Sequence, residues 1–388
     1  MILGMYCNWR VKVDPTGVFY ISALNMKYLI AFKKKCQQVI LLTNISSQPI
    51  SNDDQPIIDL SIEVIPLPEY KTYLQSFKFF SKIIAGMKIL VSKSDFIYVK
   101  TPEPFSWYFS FFKSNKKINY HFVSNPLEVI LKRKGFFKKT FTYLLFLPEY
   151  YLICIAARLT NCSANGPSVI KNTPFFLKKK IRILIENTLS EDDLDNKLFI
   201  PKKLNPPYVF ICVSRLQNSK GLFELIDAFT RFNKNTQFES KLLIVGDGPL
   251  NNELSKFIDD NNAGGFISML GHVENGEPLN LLYRKSDFLI NPSLSETGPR
   301  VILEGMAEGV VCISTDVGYV SFIYNQVDCL PELIISQNAD FNDEFGSIAN
   351  RLLSNPLLYK NLSEKSVSLS KKYSLDKFVL GILDVENK

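Results

Sequence analysis

Two cations, Arg215 and Lys220, stand five residues apart in Ser214-Arg-Leu-Gln-Asn-Ser-Lys-Gly221, a polar, glycine-ended run that reads as a turn leading into a helix. Across such a turn both side chains can converge on one anionic group. A diphosphate leaving group needs that arrangement, because charge on its bridging oxygen grows as the bond to it breaks, and fixed cations stabilise the charge. Taken alone, the pair equally describes two solvated surface cations. A second stretch, Asn291-Pro-Ser-Leu-Ser-Glu-Thr-Gly-Pro-Arg-Val-Ile-Leu-Glu-Gly-Met-Ala-Glu-Gly309, puts Glu296 in a loop and Glu304 about one turn into the helix that follows. Pro299 falls where a first helical residue would, since its missing N–H costs nothing there. Phosphates can lie against the free amides at that positive helix end. The two carboxylates can accept hydrogen bonds from hydroxyls on different parts of an elongated ligand, although two acids at this spacing are common by chance.

These loops need a scaffold that presents them together. From Tyr208 onward, short apolar runs alternate with amphipathic segments: strands at Tyr208–Val213, Lys241–Val245, Phe266–Leu270, Asp287–Asn291 and Val310–Ser314, and helices at Leu222–Phe232, Asn251–Asp259, Pro278–Arg284 and Pro299–Glu308. That alternation implies a parallel sheet with helices on both faces, in which ligands bind beyond the carboxyl ends of the strands. The loop Val245-Gly-Asp-Gly-Pro249 follows one such strand, but G-x-G-x-x-G fails after Gly248, so a dinucleotide turn is not supported. The first half repeats the rhythm less cleanly, with strands expected at Val39–Leu42, Phe96–Val99, Ile118–Val123 and Ile181–Ile185 and helices at Tyr20–Lys34 and Leu74–Leu90. The polar stretch Glu191–Pro207 reads as a linker. The expected architecture is α/β: two doubly wound, Rossmann-like domains facing across a cleft, at 1–200 and 201–375, with a terminal helix at 376–388 that packs back on the first.

The length of 388 residues suits two domains. The net charge of +7 is unevenly divided: residues 1–200 hold 27 Lys and Arg against 15 Asp and Glu, so the basic character lies wholly in the first half. There cations mix with aromatics, as in Phe77-Lys-Phe-Phe-Ser-Lys82 and Leu131-Lys-Arg-Lys-Gly-Phe-Phe-Lys-Lys-Thr-Phe141. Such segments suit an anionic membrane surface, the charge alone would also suit nucleic acid, and a solvated helix face is the plain alternative. Seven scattered cysteines with no C-x-x-C pair point to a reducing compartment without a metal cage, with Cys212 and Cys312 in the core. No secretory signal is read at the amino terminus. The apolar run Phe141–Ala157 is interrupted by Pro148 and Glu149 and falls short of a spanning helix, for which roughly 20 apolar residues are needed.

Taken together, Ser214-Arg-Leu with Lys220-Gly221, Val245-Gly-Asp-Gly-Pro249, Leu270-Gly-His-Val273, Asp287-Phe-Leu-Ile-Asn-Pro-Ser293, the E-x7-E element from Glu296 to Glu304, and Thr315-Asp-Val-Gly318 resemble glycosyltransferase family 4, a retaining group with the GT-B fold. The resemblance implies that Arg215 and Lys220 bind the donor diphosphate, that Glu296 binds hydroxyls of the transferred sugar, and that Glu304 binds the ribose. It further implies donor contacts from Ser214, Thr297, Gly298, Pro299, Arg300 and Val301, and a main-chain contact from Val273 to the base. Where the family often continues Gly-Gly-x-x-Glu, Gly318 is followed by Tyr-Val-Ser-Phe322, so no donor contact is carried over there.

On the acceptor side the resemblance is weaker. His121 is the single histidine of the first half, and it either lines the site or is a structural, hydrogen-bonded residue about two positions early in its strand. Gly17, in Asp14-Pro-Thr-Gly-Val18, precedes the first expected helix where a loop could approach a ligand. The implied reaction moves a sugar, with retention, from a nucleotide diphosphate-sugar to a saccharide or lipid-linked saccharide, as in bacterial surface-polysaccharide synthesis. No D-x-D motif is found in a convincing loop, so no metal and no other cofactor is expected. The expected setting is the cytoplasmic face of an anionic membrane, without nucleic acid, and the oligomeric state is not legible. A GT-B protein that binds without transferring, and a GT-B epimerase, remain as alternatives.

Overall fold

The first strand begins almost at the amino terminus. Ile2–Tyr6 (β1) buries every residue after its first, the continuous apolar run expected of a parallel strand covered on both faces. In the computed structural model, which describes residues 1–112, 116–131, 136–171, 173–195, 202–337 and 340–384, β1 is an interior strand of a seven-stranded sheet. Its companions are Gln38–Asn44 (β2), Ile62–Leu67 (β3), Phe96–Thr101 (β4), Lys117–Phe122 (β5), Asn161–Ala164 (β6) and Arg182–Ile183 (β7), in the order β7-β6-β5-β4-β1-β2-β3. All pairs are parallel; Leu3 of β1 aligns with Val39 on one side and Phe96 on the other. Chain direction in the strand order reverses between β1 and β4, so the loops after Tyr6 and after Thr101 open side by side.

A second sheet has six parallel strands: Tyr208–Val213 (β8), Ser240–Val245 (β9), Ile267–Gly271 (β10), Phe288–Asn291 (β11), Val311–Thr315 (β12) and Ile334–Ile335 (β13), in the order β10-β9-β8-β11-β12-β13. Its switch point lies between β8 and β11. Phe210 and Phe288 stack there across adjacent strands at 4.6 Å, with Phe229, Phe232 and Phe345 packed around Phe210. Each such ring contributes about 1.5–3 kcal/mol by burial. Cys212 and Cys312 are buried in β8 and β12, and all seven cysteines are free thiols.

The two compact units are Met1–Thr188 with Leu375–Lys388, and Leu189–Ser374. The division therefore precedes the boundary expected at residue 200. Leu189 and Leu194 pack with Ala307 of the second unit, and the Asp193 amide donates to Ser190 Oγ at 3.0 Å while the Ser190 amide donates to Asp193 Oδ2 at 2.9 Å. This reciprocal cap starts a helix, Glu191–Asp195, inside the stretch expected to be linker; residues 196–201 of that stretch lie outside the described residues. The terminal helix, Leu375–Leu383, is part of the first unit. Phe378 meets Tyr28 and Phe32, Asn119 Nδ2 donates to the Ile382 carbonyl at 3.1 Å, and Arg182 donates to the carbonyls of Gly381 and Asp384.

Other expectations for the first half are corrected. The helix expected from Tyr20 starts at Ala23, because Phe19–Ser22 pairs antiparallel with Asp54–Pro56 and with Lys12–Val13. The helix expected over Leu74–Leu90 is divided into Tyr73–Ser76, a 3-10 turn at Phe77–Phe79, and Phe80–Lys93. The interruption expected at Pro148 does not occur: Phe136–Leu159 is one 24-residue helix, and Lys139–Leu159 is long and apolar enough to cross a membrane by length and composition. Pro148 removes a donor to the Leu144 carbonyl, but both residues are on the exposed side, where a lost backbone bond costs little. The basic run 132–135 lies outside the described residues.

Glu149 anchors that helix. Its Oε1 accepts from the Phe105 amide at 2.5 Å, and Oε2 accepts from Trp107 Nε1 at 2.6 Å and from the Tyr73 hydroxyl at 3.2 Å. Phe105 is left-handed at φ 58°, a costly conformation that the bond to Glu149 helps to hold. Replacing Glu149 by Ala leaves three donors without their acceptor and is expected to cost about 3 kcal/mol or more in urea unfolding, with Glu149→Gln costing less. Equal stabilities for wild type and Glu149→Ala would show the clamp to be idle.

Candidate functional site

The loops after β8 and β11 are forced together by a glycine. Gly221 is left-handed at φ 62°, and a Cβ on it would stand 2.1 Å from the carbonyl oxygen of Pro292. Only a residue without a side chain lets the end of the 3-10 turn Asn218–Lys220 touch the chain leaving β11. The contact is completed by the Leu294 amide, which donates to the Ser219 carbonyl at 2.9 Å. Lys220 and Glu296 are thereby brought into an ion pair, Nζ to Oε1, with both side chains largely but not wholly buried.

Buried polar groups hold the acid from behind. Ser293 is fully buried, with Oγ 3.2 Å from Glu296 Oε1 and 2.9 Å from Asn291 Oδ1. Thr315 Oγ1 donates to the Ser293 carbonyl at 2.6 Å, and Asn291 Nδ2 donates to Ser314 Oγ at 3.0 Å. The ends of β11 and β12 thus fix the loop that carries Glu296. Gly318, left-handed at φ 61°, extends the support: a Cβ there would lie 2.8 Å from the Thr297 carbonyl, so its lack of a side chain lets the Thr297–Gly298 peptide settle against it. After Gly318 the chain turns inward. Tyr319, Val320, Ile323 and Tyr324 are fully buried, and the Tyr324 hydroxyl donates to the Cys312 carbonyl at 2.8 Å, so the departure from Gly-Gly-x-x-Glu serves the core.

The remaining residues expected on the donor side are placed as follows. Pro299 is the residue before the helix Arg300–Ala307 rather than its first residue, because its ψ of 87° is not helical; the Ile302 amide donates to its carbonyl. Gly298, Arg300 and Val301 stand at the amino end of that helix, where the peptide dipoles favour an anion. Glu304 is nearly buried in the same helix, and the Tyr283 hydroxyl donates to its Oε2 at 3.4 Å. Arg215 is exposed on the loop after β8, and the Ser214 amide donates to the Val245 carbonyl. Val273 is half-buried beyond β10, next to the exposed His272. Among the described residues no group of three His, Cys, Asp or Glu side chains is arranged to hold a metal ion.

In the first unit Gly17 and His121, the two residues expected on the acceptor side, are placed as follows. Gly17 closes the turn of a hairpin between Lys12–Val13 and Phe19–Ser22, so a strand intervenes between it and the first helix; Asp14 Oδ1 accepts from the amides of Thr16 and Val18 to shape that turn. His121 has no exposed surface. Its Nδ1 is 2.9 Å from Ser163 Oγ, its Nε2 is 3.6 Å from Glu186 Oε1, and its ring packs on Phe378. Its Nδ1 is thus hydrogen-bonded, while among the described residues Nε2 is buried without a hydrogen-bond partner.

Glu103 went unnoticed in the sequence. It follows β4 at the switch point of the first sheet, and its Oε1 accepts from the Asn8 amide at 2.6 Å. Burial pushes its carboxyl well above the usual range, against the pull of that amide, Lys100 and Arg10. Among the described residues, Glu103 Oε2 is buried without a hydrogen-bond partner, as are Trp9 Nε1, Asn44 Oδ1, Thr101 Oγ1 and Asn125 Nδ2. All five lie at or just beyond the carboxyl ends of β1, β2, β4 and β5, a concentration of unsatisfied polar atoms unusual for a folded interior. The signal available was the carboxylate between two prolines in Thr101-Pro-Glu-Pro104.

Residues 193–367 match the family model described as Glycosyl transferases group 1. The alpha-monoglucosyldiacylglycerol synthase of Acholeplasma laidlawii is 28% identical over 195 residues, which cover 47% of this chain and 46% of that protein. The chain spans about half the length of the curated relatives it matches. Among solved structures, the sucrose-phosphate synthase of Thermosynechococcus elongatus superposes with a TM-score of 0.68 at 14% identity, covering 99% of this chain and 98% of that one. Anabaena HepE in complex with UDP gives 0.67 at 15% identity, covering 99% and 98%. The fold is GT-B.

Burial pushes the His121 imidazole down to about 4, with Glu186 opposing and Lys100 adding to the shift. Its ordinary value is 6.5, so as pH falls the unfolded chain takes up this proton first. Stability is therefore intact above about pH 6.5 and declines between 6.5 and 4, by at most about 1.4 kcal/mol per pH unit from this group. Denaturant titrations at several pH values should show His121→Gln losing less stability than wild type across that window. Parallel curves down to pH 4 would mean the imidazole is already protonated in the fold.

Proposed function

We propose that this chain, whose second unit carries a Glycosyl transferases group 1 domain within a GT-B fold, is a retaining glycosyltransferase of the family 4 type that uses a nucleotide diphosphate-sugar. The observation that carries the reading is the Lys220–Glu296 ion pair at the switch point of the second sheet, beside the amino end of the helix Arg300–Ala307. Lys220, with Arg215, meets the diphosphate. Glu296 accepts from hydroxyls of the transferred sugar, and Glu304 from those of the ribose. The backbone of Thr297, Gly298, Pro299, Arg300 and Val301 lines the phosphates, Ser214 supports the loop that bears Arg215, and Val273 meets the base through its main chain.

In the transfer step the bond between the anomeric carbon and the diphosphate oxygen breaks while a bond to the acceptor hydroxyl oxygen forms on the same face. The departing phosphate oxygen takes the acceptor proton. Negative charge growing on the diphosphate is met by Lys220, Arg215 and the helix end, groups already in place before reaction. This assignment gives the charge stabilisation to side chains and backbone, with no metal and no other cofactor.

For the acceptor, the reading is a saccharide or a lipid-linked saccharide of cell-surface polysaccharide, such as O-antigen, capsule or lipopolysaccharide, handled at the cytoplasmic face of the membrane by a peripheral protein. Two things support it: the positive charge of residues 1–200, and the glucosyldiacylglycerol in the name of the Acholeplasma relative. Glu103 and the polar atoms around it are the first unit's candidate contacts for acceptor hydroxyls.

Turnover of UDP-, GDP- and ADP-sugars tests the donor assignment. Lys220→Ala should lower turnover of the cognate donor by about a hundredfold or more with the fold intact by circular dichroism. Near-normal transfer by that variant would sink the role given to Lys220.

A further inference from the structure

The helix Phe136–Leu159 has two unlike sides. Phe146, Tyr150, Ile153, Cys154 and Ala157 are buried in the core of the first unit, and Glu149 is fixed there by three hydrogen bonds. On the other side Phe137, Phe141, Leu144, Tyr151, Ile155 and Leu159 are 45–87% exposed. At 3.6 residues per turn these six, with Pro148 among them, share an arc of about 80°. No charged residue falls within the arc.

Single exposed apolar residues are ordinary on a protein surface, but a contiguous uncharged stripe along a whole helix marks an interaction site. Neighbouring elements widen it. The 3-10 segment Ser106–Phe111 and the short helix Phe175–Lys178 both pack against this helix, and they add Phe111 and Phe175, exposed at 65% and 85%. Cations flank it: Arg158 on the helix itself and Lys171, Lys178 and Lys179 beside Phe175 are all exposed.

We infer that this stripe is the surface by which the protein docks in the plane of an anionic lipid bilayer, its aromatic and aliphatic side chains at the acyl boundary and its lysines among the headgroups. The inference rests on the membrane reading above and names the element responsible. Aromatic and leucine side chains on one face with flanking cations are the composition of an interfacial helix, and each surface cation adds attraction to acidic lipid. Crossing the bilayer is excluded by the opposite face, since a spanning helix would have to withdraw Tyr150, Ile153 and Cys154 from the core and break the Glu149 clamp. Charge selects lipid over a second copy of the chain, which would bring the same lysines face to face.

Flotation of the full chain with phosphatidylglycerol-containing and pure phosphatidylcholine vesicles tests this, with wild type, Phe141→Glu/Ile155→Glu and Lys178→Ala/Lys179→Ala compared. All four positions are exposed, so the variants should unfold at the wild-type denaturant midpoint and show the wild-type melting shift with donor. Wild type is expected to float with the anionic vesicles. The glutamate variant should lose at least about tenfold in binding, and the alanine variant should lose preference for anionic over neutral lipid. If wild type floats and the glutamate variant floats equally, the stripe is not the docking surface, while the membrane reading stands. If wild type ignores both vesicles yet responds to donor, the membrane reading fails and this inference with it. If wild type instead forms a dimer in sedimentation that the glutamate substitutions dissociate, without vesicle binding, the occupant is a second copy and the proposal is overturned.

Discussion

The ion pair between Lys220 and Glu296 joins the two loops that leave the first and fourth strands of the second sheet. In a doubly wound sheet those loops diverge to opposite faces, and the crevice they leave is where ligands bind. Here they are held in contact by the approach of Gly221 to the Pro292 carbonyl and by the bond from the Leu294 amide to Ser219. The polar stack of Ser293, Asn291, Ser314 and Thr315 then orients the acid. A cation and a carboxylate held this way are preorganised: each already has a counter-charge, and under the proposed donor assignment a diphosphate-sugar would exchange that contact for one to phosphate and one to sugar hydroxyl without rebuilding either loop.

The second unit was largely legible from sequence because its elements are bounded by punctuation. From Tyr208 to Thr315 the expected spans agree with the observed ones to within a few residues, whereas the helices Val320–Tyr324, Phe341–Leu353 and Pro356–Ser370 were not read from the sequence. Pairing of Lys220 with Glu296 was not legible. Their separation in the chain is bridged only by strand order, which periodicity does not report. The placement of Pro299 just outside its helix turned on a single ψ angle.

Much of the first unit was hidden, for identifiable reasons. The strand Ile2–Tyr6 contains Gly4, Ile62–Leu67 contains Pro66, and Asn161–Ala164 is half polar, so none looks like a strand in isolation. Pro148 reads as a break in any one-dimensional scan, whereas in the fold its missing donor falls on the exposed side of the helix. Glu149 looks like a charge that spoils an apolar run and is in fact a buried acceptor for Phe105, Trp107 and Tyr73. His121 stands out in the sequence as a lone histidine, but its complete burial is not legible there. Tertiary partners decide such cases, and they lie tens of residues away in the chain.

Binding calorimetry on Glu296→Gln tests the central claim most directly. If Glu296 holds the transferred sugar while Lys220 holds the diphosphate, wild type binds the cognate nucleotide sugar more tightly than the matching nucleoside diphosphate. Glu296→Gln should remove that preference, roughly tenfold, while its affinity for the nucleoside diphosphate stays within about threefold of wild type. A variant that keeps the full preference for the nucleotide sugar would contradict the account.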